Sequence, residues 1–88
     1  MCPLEEILSC ELAFLPIGTA EYREKISRVM DIIKESSLLY EVGSMSTTVR
    51  GQERRIWELL SKICREMGPQ CKFVMDLKVS NVCGCSQK

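Results

Sequence analysis

The stretch "AFLPIGTAEY", residues 13–22, decides how the chain is read. An apolar run reaches Pro16, bends at Gly18 and becomes charged within three residues. Upstream, residues 8–16 alternate, with Cys10, Leu12 and Phe14 pointing one way and Glu11, Ala13 and Leu15 the other, which predicts a strand. Pro16 cannot donate to a sheet ladder and is a natural strand end. Gly18 permits a backbone turn that other residues resist, and Thr19 can cap a following helix.

That helix is predicted over residues 20–36, with Tyr22, Ile26, Val29, Met30 and Ile33 as one apolar stripe. Glu21 and Glu24 favour its start, and Ser36-Ser37 ends it. Next, "LLYEVGSMSTTVRG", residues 38–51, is β-branched and aromatic around Gly43-Ser44, and predicts strands over 38–43 and 45–50 with Gly51-Gln52 closing the hairpin. A second helix over 52–67 carries Ile56, Leu59, Leu60, Ile63 and Met67 on one stripe and stops at Gly68-Pro69. Trp57 lies off that stripe. The last strand, 71–79, sets Phe73, Met75, Leu77 and Val79 against Lys72, Val74, Asp76 and Lys78. Residues 81–88 read as a loose tail.

The order β-α-β-β-α-β, with one apolar face per element, packs as two layers. It predicts an α+β ferredoxin-like sandwich in which right-handed crossovers set both helices on one side of an antiparallel four-stranded sheet. With 88 residues the chain makes one domain, 1–88, with a core over about 8–80. So short a chain buries only about 60–65% of its unfolded surface and gains from self-association.

Composition excludes several partners. Twelve Lys+Arg balance twelve Asp+Glu and there is no His, so nothing attracts nucleic-acid phosphates or anionic membranes. The longest uncharged stretch, 12–20, is too short to span a bilayer, and "MCPLEE" lacks a signal peptide's basic and apolar regions. A soluble, cytoplasmic protein is expected. The six cysteines are then read as reduced, with Cys10 and Cys64 packing on core faces. Cys83-Gly84-Cys85 is the one close pair; without further ligands it predicts no metal site, and no cofactor is expected.

Chemistry is sparse. The first loop, "PIGTA", holds neither a Cys-x-x-Cys pair nor an Arg, and the outward positions Ala13 and Thr48 offer no aromatic platform for RNA bases. Without His there is no nucleophile–base pair of the usual kind, so an enzyme is not expected. Glu11 and Asp76 remain as a carboxylate pair on strands predicted to be neighbours, readable as a hydrolase pair or as solvated strand charges near Lys72 and Lys78. Thr19, Ser44, Ser46, Thr47 and Thr48 are short hydroxyls, explained first by turn and strand propensity and only second by a polar pocket.

The strings "ELAFLPIGT", "YEVGSMSTTVRG" and "FVMDLKV" resemble the thiamine-binding-protein-like family, small ferredoxin-like domains of bacteria, archaea and fungi. The resemblance covers about residues 10–80, and Pro16, Gly18, Thr19 and Thr47 match its pattern. The sequence departs at Ser46, where the family has Gly, at Arg50, where it has an acid, and at Ser80-Asn81-Val82. The resemblance implies binding of thiamine or its hydroxymethylpyrimidine part without chemistry, in homodimers or homotetramers assembled through sheets. An aminopyrimidine offers a donor amine and ring-nitrogen acceptors on a flat body, so its pocket needs a few fixed polar groups among apolar walls. The candidate ligand set is Glu11, Gly18, Thr19, Ser44, Ser46, Thr47, Thr48 and Asp76. The alternative is a structural or regulatory assembly domain with no small ligand, suggested by outward Ala13, Leu15 and Val74.

Overall fold

A computed structural model describes residues 7–81. The elements run β1 (Ile7–Ile17), α1 (Tyr22–Glu35), β2 (Leu39–Val42), β3 (Thr47–Gln52), α2 (Glu53–Met67) and β4 (Lys72–Ser80). The four strands form one sheet in the order β2-β3-β1-β4, and every neighbouring pair is antiparallel. Both helices lie on one face of it, giving the ferredoxin-like α+β sandwich that the alternation of β1 and the two apolar helix stripes demanded.

Burial follows the period of each element. Leu8, Cys10, Leu12 and Phe14 of β1 are buried while Glu11 and Leu15 are exposed. All five stripe residues of α2 are buried, and Trp57 is exposed as expected. Phe14 and Phe73 tie β1 to β4 under the helices, their ring centroids 4.8 Å apart and tilted by 34°. Such a pair adds about 0.5–1.5 kcal/mol to its burial.

The stripe of α1 needs correction. Its buried residues are Val29, Ile32 and Ile33; Tyr22 is exposed, Ile26 is 38% exposed and Ile32 only 1%. The reason lies in the sheet below. β3 pairs with β1 only as far as Leu12↔Thr47, so beyond Leu12 the helix start overhangs a place where β1 has lost that neighbour. Ile26 looks into the resulting cleft rather than onto a strand. Cys64 also departs from expectation: it is exposed, because Leu60, Ile63 and Met67 fill the core line of α2 and position 64 falls on its flank.

The connections show local chemistry. Gly18 has φ +69°, where a side chain is strained. The helix begins two residues later than the capping reading implied: Glu21 holds the cap position, and the Thr19 hydroxyl accepts its N–H at 3.0 Å. At the far end the Ser36 hydroxyl donates to the Ile33 carbonyl and accepts from the Leu38 N–H, and Ser37 turns with φ +65°. The hairpin connection is longer than predicted, spanning residues 43–46. Val42 pairs with Thr47, and the Gly43 N–H reaches the Ser46 carbonyl at 2.8 Å. Gly51 does not close the hairpin but lies within β3, where a Cβ would collide with the buried Leu38 Cδ2. The tail and the Cys83–Cys85 pair lie outside the described residues.

Candidate functional site

The helix-free face of the sheet is where the polar strand residues collect. Along β1 the register sets Glu11 opposite Thr48 of β3 on one side and Lys78 of β4 on the other, with Ala13 opposite Asp76. Glu11 and Asp76 are therefore diagonal neighbours on one surface. The hairpin turn lays Met45 and Ser46 over this spot.

Together Glu11, Ala13, Met45, Ser46, Asp76 and Lys78 line an open cleft of about 240 Å³. The Ser46 hydroxyl donates to Glu11 Oε2 at 2.8 Å, and Lys78 Nζ stands 3.9 Å from Glu11 Oε1. Glu11 is thus held from two sides, while the Asp76 carboxylate makes no hydrogen bond or ion pair among the described residues. The floor, Ala13, is small enough to admit a flat ring. Met45, 88% exposed, is a flexible apolar flap at the rim. The arrangement offers two acceptor carboxylates, one ammonium and one hydroxyl around an apolar floor. That suits binding a flat, amine-bearing molecule.

The other sequence candidates divide between neighbouring places. Thr48 faces the same surface, but it lines the adjacent hollow with Leu39, Glu41 and Arg50. Arg50, whose Nε donates to the Ser9 hydroxyl at 3.2 Å, belongs to that hollow too, away from Glu11. Ser44 and Thr47 line a third opening, of about 340 Å³, between the hairpin turn, the unpaired edge of β1 and α1, which shares Ala13, Met45 and Ser46 with the cleft. Thr47 is buried there, its hydroxyl 3.8 Å from the Met30 sulfur. Gly18 and Thr19 stand beyond the end of β1, about 20 Å from Glu11 at ~3.3 Å per residue. The Thr19 hydroxyl serves the helix start. The corner is structural.

Lys78 and Met45 belong to the cleft and were missing from the sequence-derived set. For Lys78 the signal was present: strict alternation along β4 puts it on the same face as Asp76. For Met45 there was none, because a turn residue has no periodicity. Burial pushes the Cys10 thiol up from its ordinary value, so it stays neutral inside the core and takes no part in the site. Among the described residues no group of His, Cys, Asp and Glu gathers to hold a metal, and no helix is long and apolar enough to cross a membrane.

Fold and cleft together define a small ferredoxin-like domain with a polar recess on its open sheet face. The chain belongs to the thiamine-binding protein family, whose sequence profile matches residues 10–84. It is similar in structure to a candidate thiamine biosynthesis/salvage protein from Thermotoga maritima, with a TM-score of 0.75, 25% identity, and coverage of 84% of this chain and 82% of that one. It also resembles a Streptococcus pneumoniae protein (TM-score 0.81, 17% identity, 92% of each chain covered). A domain of unknown function from Bacillus cereus matches at TM-score 0.77 and 14% identity, over 92% of this chain and 83% of that one. The last two likenesses show the fold. Among curated proteins, no sequence matches this one.

Proposed function

We propose that the protein is a non-catalytic binder of thiamine or a related hydroxymethylpyrimidine compound, acting as a homo-oligomer, and that the Glu11 cleft is its site. The observation that carries this reading is the geometry of Glu11: a carboxylate fixed by Ser46 and Lys78, one diagonal step from the unpartnered Asp76, over the small Ala13. An exocyclic amine donates to one carboxylate, and a ring nitrogen accepts from Lys78, the Ser46 O–H being already given to Glu11. The thiazolium charge of thiamine is balanced by the second carboxylate. Membership of the thiamine-binding protein family supports the same ligand class.

Self-association belongs to this reading for a physical reason. At about 240 Å³ the cleft falls short of the roughly 300–1,000 Å³ usual for ligand sites, and it is open to solvent, so a second copy would supply the missing wall. Calorimetric titration with thiamine and with hydroxymethylpyrimidine tests the ligand. Saturable heat with either supports the reading; no heat and no thermal shift with both removes it.

One observation favours a second reading, an assembly domain with no small ligand. Leu15 lies opposite Val74 on the open face, both exposed, beside exposed Ile17. A clear oligomer that ignores both compounds would support it.

A further inference from the structure

We propose that a hollow between the two helices binds a small zwitterion, an α-amino acid with a short aliphatic side chain. The hollow lies on the helix side of the sheet and shares no residue with the Glu11 cleft, so the inference stands apart from the reading given above.

The hollow opens where α1 ends. Ile32, Leu38 and Leu59, all buried, make its floor, and its volume is about 150 Å³. An apolar cavity of about that size holds a benzene-sized molecule, which leaves room for a branched aliphatic side chain with the charged groups at the rim. Arg55, Glu58 and Lys62 stand around the floor, three and four residues apart on α2 and therefore on one side of it. Arg55 Nη2 donates to the Ser36 carbonyl at the end of α1, which anchors the guanidinium, yet its charge meets no carboxylate among the described residues. Glu58, one turn further along, makes no hydrogen bond or ion pair among the described residues. Lys62 is different: its Nζ stands 3.9 Å from Glu35 Oε1, so its charge is already met in part. The Ser36 hydroxyl is engaged within its own turn, by the Ile33 carbonyl and the Leu38 N–H.

What remains is one anchored cation and one unpartnered anion above an apolar floor, their β-carbons about 5–6 Å apart. An α-amino acid carries the opposite pair of charges on adjacent atoms, with its side chain on the same carbon. Its carboxylate accepts from the N–H groups of Arg55 that Ser36 leaves unused, and its ammonium donates to Glu58. The aliphatic side chain covers Ile32, Leu38 and Leu59. An acid without the amine sets its carboxylate against Glu58, and an amine without the acid sets its charge against Arg55, so the pair of charges selects the zwitterion over either half. So small a ligand in an open hollow binds at about millimolar concentration.

The test follows backbone amide shifts of the labelled full chain during addition of valine, of 3-methylbutanoate, which lacks the ammonium, and of isobutylamine, which lacks the carboxylate. Valine should give saturable shifts centred on Ser36, Leu38, Arg55 and Glu58, and each analogue should bind about tenfold more weakly or worse. Glu58→Gln should weaken valine about tenfold and leave 3-methylbutanoate no weaker than before, whereas Arg55→Gln should weaken both. Arg55→Gln also loses the bond to Ser36; should it fail to fold, Glu58→Gln with the two ligands still decides, since Glu58 bonds to nothing in the fold. Glu11→Gln, on the other face of the sheet, should leave valine binding unchanged, so this site and the Glu11 cleft stand or fall separately. No saturable shift at the hollow with valine well above millimolar overturns the site. Equal binding of valine and 3-methylbutanoate, or indifference of valine to Glu58→Gln, overturns the zwitterion.

Discussion

Ile32→Ala and Ile26→Ala make the sharpest stability comparison, because the apolar stripe of α1 and the packed structure rank them differently. By helical spacing Ile26 belongs to the stripe. In the fold Ile32 is 1% exposed in the core, on the side of α1 that borders Leu38 and Leu59, while Ile26 hangs over the cleft where β3 has ended. Truncating a fully buried isoleucine removes its transfer free energy and leaves a cavity, about 2–5 kcal/mol in all. For Ile32 we expect about 3 kcal/mol. In a chain of this size each kcal/mol moves the midpoint by about 4–8 °C, so the loss is about 12–24 °C. Ile26 keeps much of its surface in water, and its truncation should cost less than about 1 kcal/mol. Circular-dichroism melts with urea titration at 25 °C measure both. Equal losses, or a larger loss for Ile26, would refute the placement of α1 on the sheet.

Three further outcomes follow from the same packing. Ile63→Asp puts an unpaired carboxylate into a wholly buried position and should abolish cooperative unfolding, while Trp57→Asp on the exposed side of the same helix should shift the midpoint only slightly; two similar melts would show that α2 is rotated. Gly18→Ala meets no atom within 4 Å, so its cost is the left-handed backbone alone, about 1 kcal/mol, read as a few degrees lost on melting. Cys10 has its folded-state ionisation raised by burial, so the unfolded chain releases this proton first. The sign is therefore a loss of stability as pH climbs above about 9, absent below it, and Cys10→Ala should flatten that decline relative to wild type in urea titrations across the range.

The fold was legible because its signals are local. The alternation from Cys10 to Leu15, the Pro16–Gly18 corner and the α2 stripe each name an element and its inner face. What failed were positions whose burial depends on a distant neighbour. Ile26 and Ile32, six residues apart, stand about 120° apart on the helical wheel; the buried arc of Val29, Ile32 and Ile33 leaves Ile26 at its edge, over the place where β3 stops paired to β1. Gly51 reads as turn punctuation until Leu38 is seen against it. The same limit governed the site. Glu11 and Asp76 were paired from strand order, since adjacent antiparallel strands bring alternate residues onto one surface. Ser46 joined them through the hairpin turn. Thr47 and Thr48, adjacent in sequence, point to opposite faces of the sheet, and the corner at Gly18 and Thr19 ends far from Glu11.

Mapping backbone amide shifts of the labelled protein during addition of hydroxymethylpyrimidine bears most directly on the proposed role. Binding at the Glu11 cleft predicts saturable changes concentrated at Glu11, Asp76 and Lys78, lost in Glu11→Gln, with Gly18 and Thr19 unmoved. A saturable response centred instead on the corner or on the Thr47 opening, or a spectrum unchanged by both this compound and thiamine, would contradict it.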